Sequence, residues 1–295
     1  MNSDHLRALA AAVDEGTFDA AAAWLGISGS ALSQRIKALE GQTGQVLLTR
    51  TVPVRPTEAG ERMLRLARQT LPLEEEALAA LGRGTGRRAP LRVGVNADSL
   101  ETWWTPVLRE AATWDDVVLH LHAEDQGHTP ELLRQGTVVA VVTDDPTPVT
   151  GCTVTRIGTM RYHAVAASFL LDLHRDAHGR VDVATMPVVD YGPRDGLQRT
   201  MLERAARGRV SVPRPPHHLV PSVGAYASAV GMGLGWGMLP TGQVPPELAA
   251  GSHPDLELVP ELGTAEVPLY WQRWSAGTPA LDRLTAAVTA AAPAG

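Results

Sequence analysis

Polar and acidic side chains follow three predicted strands in the C-terminal two-thirds of the chain, at the point where each strand ends. They are Asn96, Asp98 and Ser99 after the first strand, Glu124, Asp125 and Gln126 after the second, and Thr143 and Asp144 after the third. In α/β sheets, the loops beyond the carboxyl ends of the strands bind ligands. Because a carboxylate withdrawn from water needs an opposite charge, the pattern predicts a site for a cationic small molecule.

A second candidate element lies further along the chain, where Pro221 and Ser222 precede a predicted helix. The first turn of a helix offers free backbone N–H groups and the serine adds a hydroxyl, so together they can bind a carboxylate. An acidic site facing such a helix suits an amino acid. The surplus of acidic residues further predicts a second positive charge on the ligand, as in lysine, arginine or histidine. The alternative for each residue is a helix cap or a solvated loop.

The elements that position these residues alternate between strands and helices from residue 91 to residue 295. The predicted strands are LRVGVN, VVLHLHAED, TVVAVVTDD, TMRYHAVAAS, PVVDYG and HHLVPS, and the predicted helices include TWWTPVLREAATW, TPELLRQG and DGLQRTMLERAARGR. Alternation of this kind is typical of an α/β domain.

Three short helices are predicted in the first 45 residues, which is the pattern of a helix-turn-helix domain. They are residues 4–14 ending before Gly16, AAAAWLG capped by Asp19, and GSALSQRIKALEGQTG capped by Ser28 with Ala31, Ile36 and Leu39 buried. Hydroxyl, amide and cationic groups face outward from the third helix, and these groups bind base edges and phosphates. The candidate DNA contacts here are Ser28, Ser30, Ser33, Gln34, Arg35 and Lys37.

A basic wing is predicted after the third helix. QVLLTRTVPVRPTEAGE predicts a strand, a Pro-bounded turn with Arg50 and Arg55, a second strand, and a helix capped at Thr57. Arginines in such a wing bind the DNA backbone. Residues 30–68 carry a net charge of plus 4 and residues 91–295 a net charge of minus 7, so the two regions are expected to have different partners.

One long helix is predicted from Thr57 to Leu81. Leu64, Leu71 and Leu78 recur every seven residues, with Ala67 and Leu81 between them, which predicts a short coiled-coil seam between two copies of the chain. The alternative is a helix that packs on its own domain. Pro72 predicts a kink or two helical pieces, because proline disrupts a helix interior.

The overall composition of the 295 residues, 44% of them hydrophobic, is that of a soluble globular protein. No membrane span or signal peptide is evident, which predicts a cytoplasmic location. A single cysteine, Cys152, and an isolated pair, His120 and His122, predict no metal site and no cofactor. Without a GxSxG, HExxH or P-loop motif, an enzyme using Ser99 and Asp98 is the disfavoured alternative, as is an architectural DNA-binding protein without a ligand.

The segment GTFDAAAAWLGISGSALSQRIKALEGQTGQVLLTRT, followed by RPTEAG, resembles the DNA-binding signature of LysR-type transcriptional regulators. VNADSLETWW, EDQGHTPELLRQG, GCTVTRIGTMRYHAV and VPLYWQRW are similar to the branch of that family that senses basic amino acids. The resemblance implies a winged helix-turn-helix, a two-lobed effector domain like the periplasmic binding proteins, and control of an amino acid exporter gene. A LysR-type regulator that responds to a different small molecule stays an alternative.

The expected organisation assigns 1–58 to the DNA-binding domain, 59–82 to a dimerising linker helix, 83–90 to a hinge and 91–295 to the effector domain. The resemblance implies that lobe I of this domain spans about 91–161 and 266–295, and lobe II about 162–265. We expect a homodimer or homotetramer, formed through the linker helix and the effector domain, that binds double-stranded DNA.

Overall fold

The computed structural model describes residues 2–49, 51–81, 89–124, 129–193, 195–206 and 214–294. The N-terminal elements are α1 (Ser3–Asp14), α2 (Phe18–Leu25), α3 (Gly29–Thr43), β1 (Leu48–Thr49), β2 (Arg55–Pro56) and α4 (Glu58–Ala80). The predicted order of three helices, a two-stranded wing and a long helix is therefore present. Strands β1 and β2 pair antiparallel.

Side-chain caps define where the N-terminal helices begin. Thr17, not Asp19 as expected, caps α2 by accepting a hydrogen bond from the Ala20 backbone N–H at 3.1 Å. The helix therefore starts at Phe18, two residues before the alanine run. The Ser28 hydroxyl caps α3 as predicted, accepting from the Ala31 N–H at 3.2 Å.

The core of the helix-turn-helix differs from the expectation at one position of α3. Leu32 is fully buried there, together with Ile36 and Leu39, whereas Ala31 is only partly buried. The larger side chain takes the position that contacts α1 and α2, since it buries more apolar surface.

The long helix α4 is continuous through Pro72, so the expected division into two helical pieces is wrong. The predicted seam is also wrong in its first half. Leu64 and Ala67 are buried in the core formed with α1, α2 and α3, and Leu71 packs against the same core. These side chains are occupied within their own domain, because α4 lies directly against α1. The alternative prediction, a helix packed on its own domain, holds for this half of α4.

The α/β region begins at residue 89. In chain order its elements are β3 (Ala89–Asn96), α5 (Ala97–Thr102), α6 (Thr105–Ala111), β4 (Val117–Glu124), α7 (Thr129–Arg134), β5 (Ala140–Thr143), β6 (Cys152–Ala167), α8 (Ser168–His174), β7 (Val188–Asp190), α9 (Leu197–Ala205), β8 (His217–Leu219), α10 (Val223–Gly231), β9 (Gly237–Pro240), a 3-10 helix (Thr241–Gln243), α11 (Pro246–Ala249), β10 (Leu256–Leu258), β11 (Thr264–Trp274) and α12 (Pro279–Ala291). The predicted TWWTPVLREAATW helix is wrong as a single element. Trp103 and Trp104 separate α5 from α6, because both indoles are buried in the core.

A seven-stranded sheet runs through the region in the order β10-β6-β11-β5-β3-β4, with β9 also paired to β6. Strand β3 is parallel to both β4 and β5, whereas β6 and β11 are long antiparallel neighbours. Strands β7 and β8 form a separate parallel pair. We call the part with β3, β4, β5 and α5 to α7 the first half, and the part with β7, β8, α9 and α10 the second half.

None of the helices in the described part of the chain combines the length and hydropathy needed to cross a membrane.

Two glycines of the DNA-binding domain should respond oppositely to alanine. A Cβ at Gly60 would lie 1.9 Å from the Leu47 carbonyl oxygen, whereas one at Gly41, inside α3, meets nothing within 4 Å. We expect Gly60→Ala to lower the free energy of unfolding by about 2 kcal/mol or more through overpacking. Gly41→Ala should raise it by about 0.5–1 kcal/mol, because alanine loses less backbone entropy in a helix. Urea unfolding followed by circular dichroism measures both, and equal effects would contradict the packing described.

Candidate effector cleft and DNA-binding surface

The carboxyl ends of β3, β4 and β5 meet at one edge of the sheet, as the sequence predicted. Asn96 is paired with Glu124 at the ends of β3 and β4, and Gly94 is paired with Val141 between β3 and β5. Asn96 lies two residues beyond Gly94, and Thr143 lies two residues beyond Val141. These two residues therefore end adjacent strands. Of the other predicted residues at this edge, Asp125 and Gln126 lie outside the described residues.

Buried polar atoms without a partner are found at the start of α5. The Asn96 side-chain oxygen caps the helix by accepting from the Ser99 N–H at 3.0 Å. Asn96 Nδ2 and the Ser99 hydroxyl are buried and make no hydrogen bond within the described part of the chain. Leaving such a group unpaired costs about 1–3 kcal/mol, so a ligand or a water that binds both would be stabilised.

Asp98 belongs to the same first turn of α5. It accepts a hydrogen bond of 2.8 Å from the Tyr162 hydroxyl of β6. Burial raises the pKa of Asp98, the Tyr162 hydrogen bond lowers it, and the negative charge of Asp195 raises it further. The pKa of Asp144, which follows β5, is likewise raised by burial and by its neighbour Asp145. Both predicted carboxylates would therefore gain from a bound cation.

The second half contributes a polar group that the sequence reasoning missed. Asp195 accepts hydrogen bonds from the Tyr191 N–H, the Leu197 N–H and the Gln198 amide, at 3.0–3.1 Å. Gln198 also donates to the Tyr226 hydroxyl at 2.8 Å, while its own side-chain oxygen is buried without a partner in the described residues. This network connects α9 with α10.

Asp190, at the carboxyl end of β7, is a further carboxylate of the second half. Burial and the nearby charge of Asp195 raise its pKa to about 6, and His217 opposes the shift. The rule used for β3, β4 and β5, that ligands bind where strands end, would have identified Asp190 had it been applied to PVVDYG. Asp195, Gln198 and Tyr226 carry no such local signal.

The two halves meet where α5 contacts α10. The charge of Asp195 raises the pKa of Asp98, and burial, Asp195 and, more weakly, Asp98 raise the pKa of Tyr226. These groups therefore lie near one another where the two halves meet, and we call this region the candidate effector cleft. At its rim Ser222, in an extended conformation before α10, makes no side-chain cap bond, and Pro221 is exposed. The backbone N–H groups that begin α10 are thus not capped by Ser222.

The predicted DNA contacts on α3 are mostly exposed. Ser30, Gln34 and Lys37 face solvent and Ser33 is partly exposed. The Ser28 and Ser30 hydroxyls lie 2.9 Å apart at the start of α3. Ser28 therefore caps the helix while both hydroxyls stay exposed to solvent.

Two of the predicted arginines differ from the expectation in their surroundings. Arg35 lies 3.5 Å from the Asp4 carboxylate of α1, so its charge is partly satisfied within the domain. Arg55 is exposed but belongs to strand β2 rather than to the wing turn, because it pairs with Thr49 of β1. Arg50 lies outside the described residues.

Residues 3–61 match the family model described as bacterial regulatory helix-turn-helix protein, lysR family, and residues 84–293 match the model of the LysR substrate binding domain. The chain belongs to the LysR family of bacterial transcriptional regulators. The predicted resemblance is therefore confirmed, as is the predicted combination of a helix-turn-helix with an α/β effector domain.

Relatives of known name support the assignment to the LysR family along the whole chain. The lysine export transcriptional regulatory protein LysG of Corynebacterium glutamicum is 44% identical over 296 residues, covering 99% of this chain and 98% of LysG. The regulator ArgP of Pseudomonas aeruginosa is 37% identical and covers 95% of this chain and 92% of ArgP.

Two solved LysR-family structures are similar to the fold described above. Full-length LysG of Corynebacterium glutamicum with bound effector Arg has a TM-score of 0.77 at 42% identity, covering 99% of this chain and 98% of that one. ArgP of Mycobacterium tuberculosis has a TM-score of 0.84 at 40% identity, covering 99% of this chain and 97% of that one.

The raised pKa of Asp190 gives a testable pH dependence. Its folded-state pKa is about 6 against an ordinary value of 3.8, so the protonated carboxyl favours folding below about pH 4, and this contribution is lost as the pH rises through 6. Asp190→Asn removes that loss. We expect its free energy of unfolding, measured by urea titration without ligand, to exceed that of the parent by about 1 kcal/mol near pH 7.5, allowing for the half-buried position.

The difference between Asp190→Asn and the parent should vanish near pH 4, since both side chains are then neutral. Asp172→Asn, an exposed position on α8, serves as the control because it carries the same change of charge. A constant advantage of Asp190→Asn at all pH values would show that its origin is not the carboxylate charge.

Proposed function

We propose that this LysR-family regulator binds a basic amino acid in the cleft between its two halves and thereby changes its affinity for operator DNA. The observation that carries the proposal is that Asp98, on the helix α5 that contacts α10, and Asp190, at the end of β7, are both repelled by the charge of Asp195, which together with burial raises the pKa of each. A dicationic ligand would relieve that repulsion. The arginine bound by the similar LysG has the required charges.

The chemistry of the cleft suggests how an amino acid would lie in it. Its carboxylate would face the start of α10, where Ser222 leaves backbone N–H groups uncapped. One cationic group would bind Asp98 and the Asn96 and Ser99 side chains, and the other would lie towards Asp190. Thr143, Asp144 and Pro221 would border the ligand, together with the predicted but undescribed Asp125 and Gln126, and Glu124 at the end of β4.

We propose that α3 enters the major groove and that the wing binds the backbone. Gln34 and Ser33 would read base edges, whereas Lys37 and Arg55 would contact phosphates and supply affinity that depends on salt. The proposed domain organisation keeps the boundaries given by the sequence, with residues 59–82 as a linker helix that would dimerise through its part beyond Pro72. The protein would act in the cytoplasm on an amino acid exporter gene, as a homodimer or homotetramer without catalytic activity.

Isothermal titration tests the ligand. L-lysine, L-arginine or L-histidine should bind saturably, and norleucine, which has the chain of lysine without its distal ammonium, should not. Asp98→Asn should weaken the tightest of the three at least tenfold, about 1.4 kcal/mol, because an amide can accept the Tyr162 hydrogen bond but carries no charge. The control Asp172→Asn carries the same change of charge on α8 and should bind like the parent. Absence of heat with all three amino acids would refute the effector proposed.

The DNA proposal separates backbone contacts from base contacts. With duplexes selected from a random pool by the purified protein, Arg55→Gln should lower the affinity for all sequences and reduce the slope of log K against log salt by about 1. Gln34→Ala should instead cost about 1–3 kcal/mol on the selected site only. Arg109→Gln, an exposed position on α6, is the charge control. A salt slope unaffected by Arg55→Gln would remove Arg55 from the interface.

A further inference from the structure

We propose that arginines of helix α4 couple the effector cleft to the DNA-binding domain by binding elements of the first half that adjoin the cleft; this inference rests on the proposed function. Three elements of the first half are bonded to α1 or α4. They are the loop after β5, which begins at the candidate residue Asp144, strand β3, which ends at the candidate residue Asn96, and helix α7 with its following turn, which lies between β4 and β5 in the chain. We call these bonds the coupling contacts.

The first coupling contact joins α4 to the loop of residues 144–150. This loop begins at the candidate residue Asp144, and its other end, the Thr150 carbonyl oxygen, accepts a hydrogen bond from Arg65. The Arg65 guanidinium also donates to the Arg134 carbonyl oxygen at the end of α7, at 3.4 Å. One side chain of α4 therefore touches two of the three elements.

Gln272 of β11 makes the loop behave as one rigid piece. Its side chain is fully buried, and its amide nitrogen donates to the carbonyl oxygens of Asp145 and Thr147, both at 2.9 Å. Its oxygen accepts from the Val149 N–H at 3.1 Å. With both ends of the loop tied to one amide, a displacement at Asp144 is passed on to Thr150 rather than absorbed between them. Gln272 is thus a positioning residue.

The second coupling contact lies at the turn that follows α7. Arg68 donates to the Gly136 carbonyl oxygen at 3.0 Å. The approach is close, because a Cβ at Gly136, whose φ is +69°, would lie 2.7 Å from the Cα atom of Arg65. The turn therefore packs directly on the backbone of α4, and α7 cannot shift along its axis without moving against that helix.

The third coupling contact is the ion pair between Asp14 and Arg92. Asp14, at the end of α1, binds Arg68 at 2.6 Å and Arg92 at 2.7 Å, so one carboxylate joins α1, α4 and β3. Arg92 lies four residues before the candidate residue Asn96 on the same strand. Since the Arg68 side chain is only 10% exposed, this arrangement is shielded from solvent and poorly screened.

Ligand binding that moves the cleft edge of the first half would therefore change the contacts of Arg65 and Arg68, and the position of α4 relative to the sheet. By linkage the converse holds, so that DNA bound to the N-terminal domain must alter the loop of residues 144–150. This reciprocity allows a test that does not require the effector to be known.

The variant Arg65→Met removes the two nitrogens that bond to Arg134 and Thr150 but keeps an unbranched apolar stem. For the full-length protein, saturating L-arginine or L-lysine changes the operator dissociation constant by some factor, in either direction. In Arg65→Met this factor, written as a ratio above one, should fall from the parent value to between one and two. Arg65→Lys keeps the positive charge but loses the planar guanidinium that donates to two carbonyl oxygens at once. It should therefore give an intermediate ratio. Arg156→Met is the control, because Arg156 is exposed and its guanidinium donates to Thr159 of its own strand. An Arg65→Met ratio equal to that of the parent would overturn the inference.

Hydrogen exchange with operator DNA alone separates this inference from the proposed function. In the parent, DNA should slow amide exchange in the peptide containing Thr147, Val149 and Thr150 at least twofold, and in Arg65→Met it should not. Unchanged exchange in the parent would refute the coupling even if basic amino acids bind. The predicted change would support the coupling even if the titrations show that the effector belongs to another chemical class.

Discussion

Strands β6 and β11 pair antiparallel from the His163–Thr264 pair to the Cys152–Trp274 pair, and the effector cleft depends on this pairing. Tyr162 of β6 holds Asp98 on one side, and Gln272 of β11 holds the loop after β5. Strand β9 also pairs with β6, and its Met238 N–H donates to the Tyr226 hydroxyl of α10. The polar groups of both halves are thus positioned from one pair of strands, and a slip of one residue in their register would reverse the directions of their side chains.

The same pairing brings together carboxylates that repel each other. The charge of Asp195 raises the pKa of Asp98, and the Ser99 hydroxyl, the Asn96 amide nitrogen and the Gln198 oxygen are buried without partners in the described residues. Buried donors and acceptors without partners are unfavourable unless a bound group pairs with them. Because the repulsion and the unpaired groups are local, a ligand that binds them can relieve both. The free energy gained in this way can shift the equilibrium between two relative positions of the halves.

Sequence reasoning succeeded where the cause is local. The caps at Ser28 and Thr57 and the polar strand ends at Asn96 and Thr143 follow from side chains that bond to backbone atoms two or three residues away. The cap of α2 was predicted wrongly because Thr17 and Asp19 are both good caps, and only the geometry of Phe18 decides between them. The heptad pattern of α4 was wrongly interpreted as a seam in its first half, since periodicity shows an apolar face without showing what covers it.

The residues of the second half that complete the cleft could not have been predicted in the same way. Gln198 and Tyr226 are 28 positions apart, and their hydrogen bond exists only because α9 and α10 pack on β7 and β9. Asp195 looks like a helix-start residue, and it does accept from the Leu197 N–H. Its effect on Asp98 depends on how the strands that cross between the two halves bring them together. Such long-range consequences of topology leave no pattern in a single sequence.

Helix α4 combines three constraints that divide its surface. Leu64 and Ala67 face the core of the helix-turn-helix, while Arg65 and Arg68 face the first half of the effector region. The large apolar side chains exposed along this segment, Leu73 and Leu81, belong to its C-terminal part. A second copy of the chain in the proposed dimer would therefore meet α4 beyond Pro72. Helix α4 thus contacts the DNA-binding domain on one side and the elements of the first half on another, and towards its end it would contact a partner. In this position it can transmit a change in the cleft to the spacing of the two DNA-binding domains of a dimer.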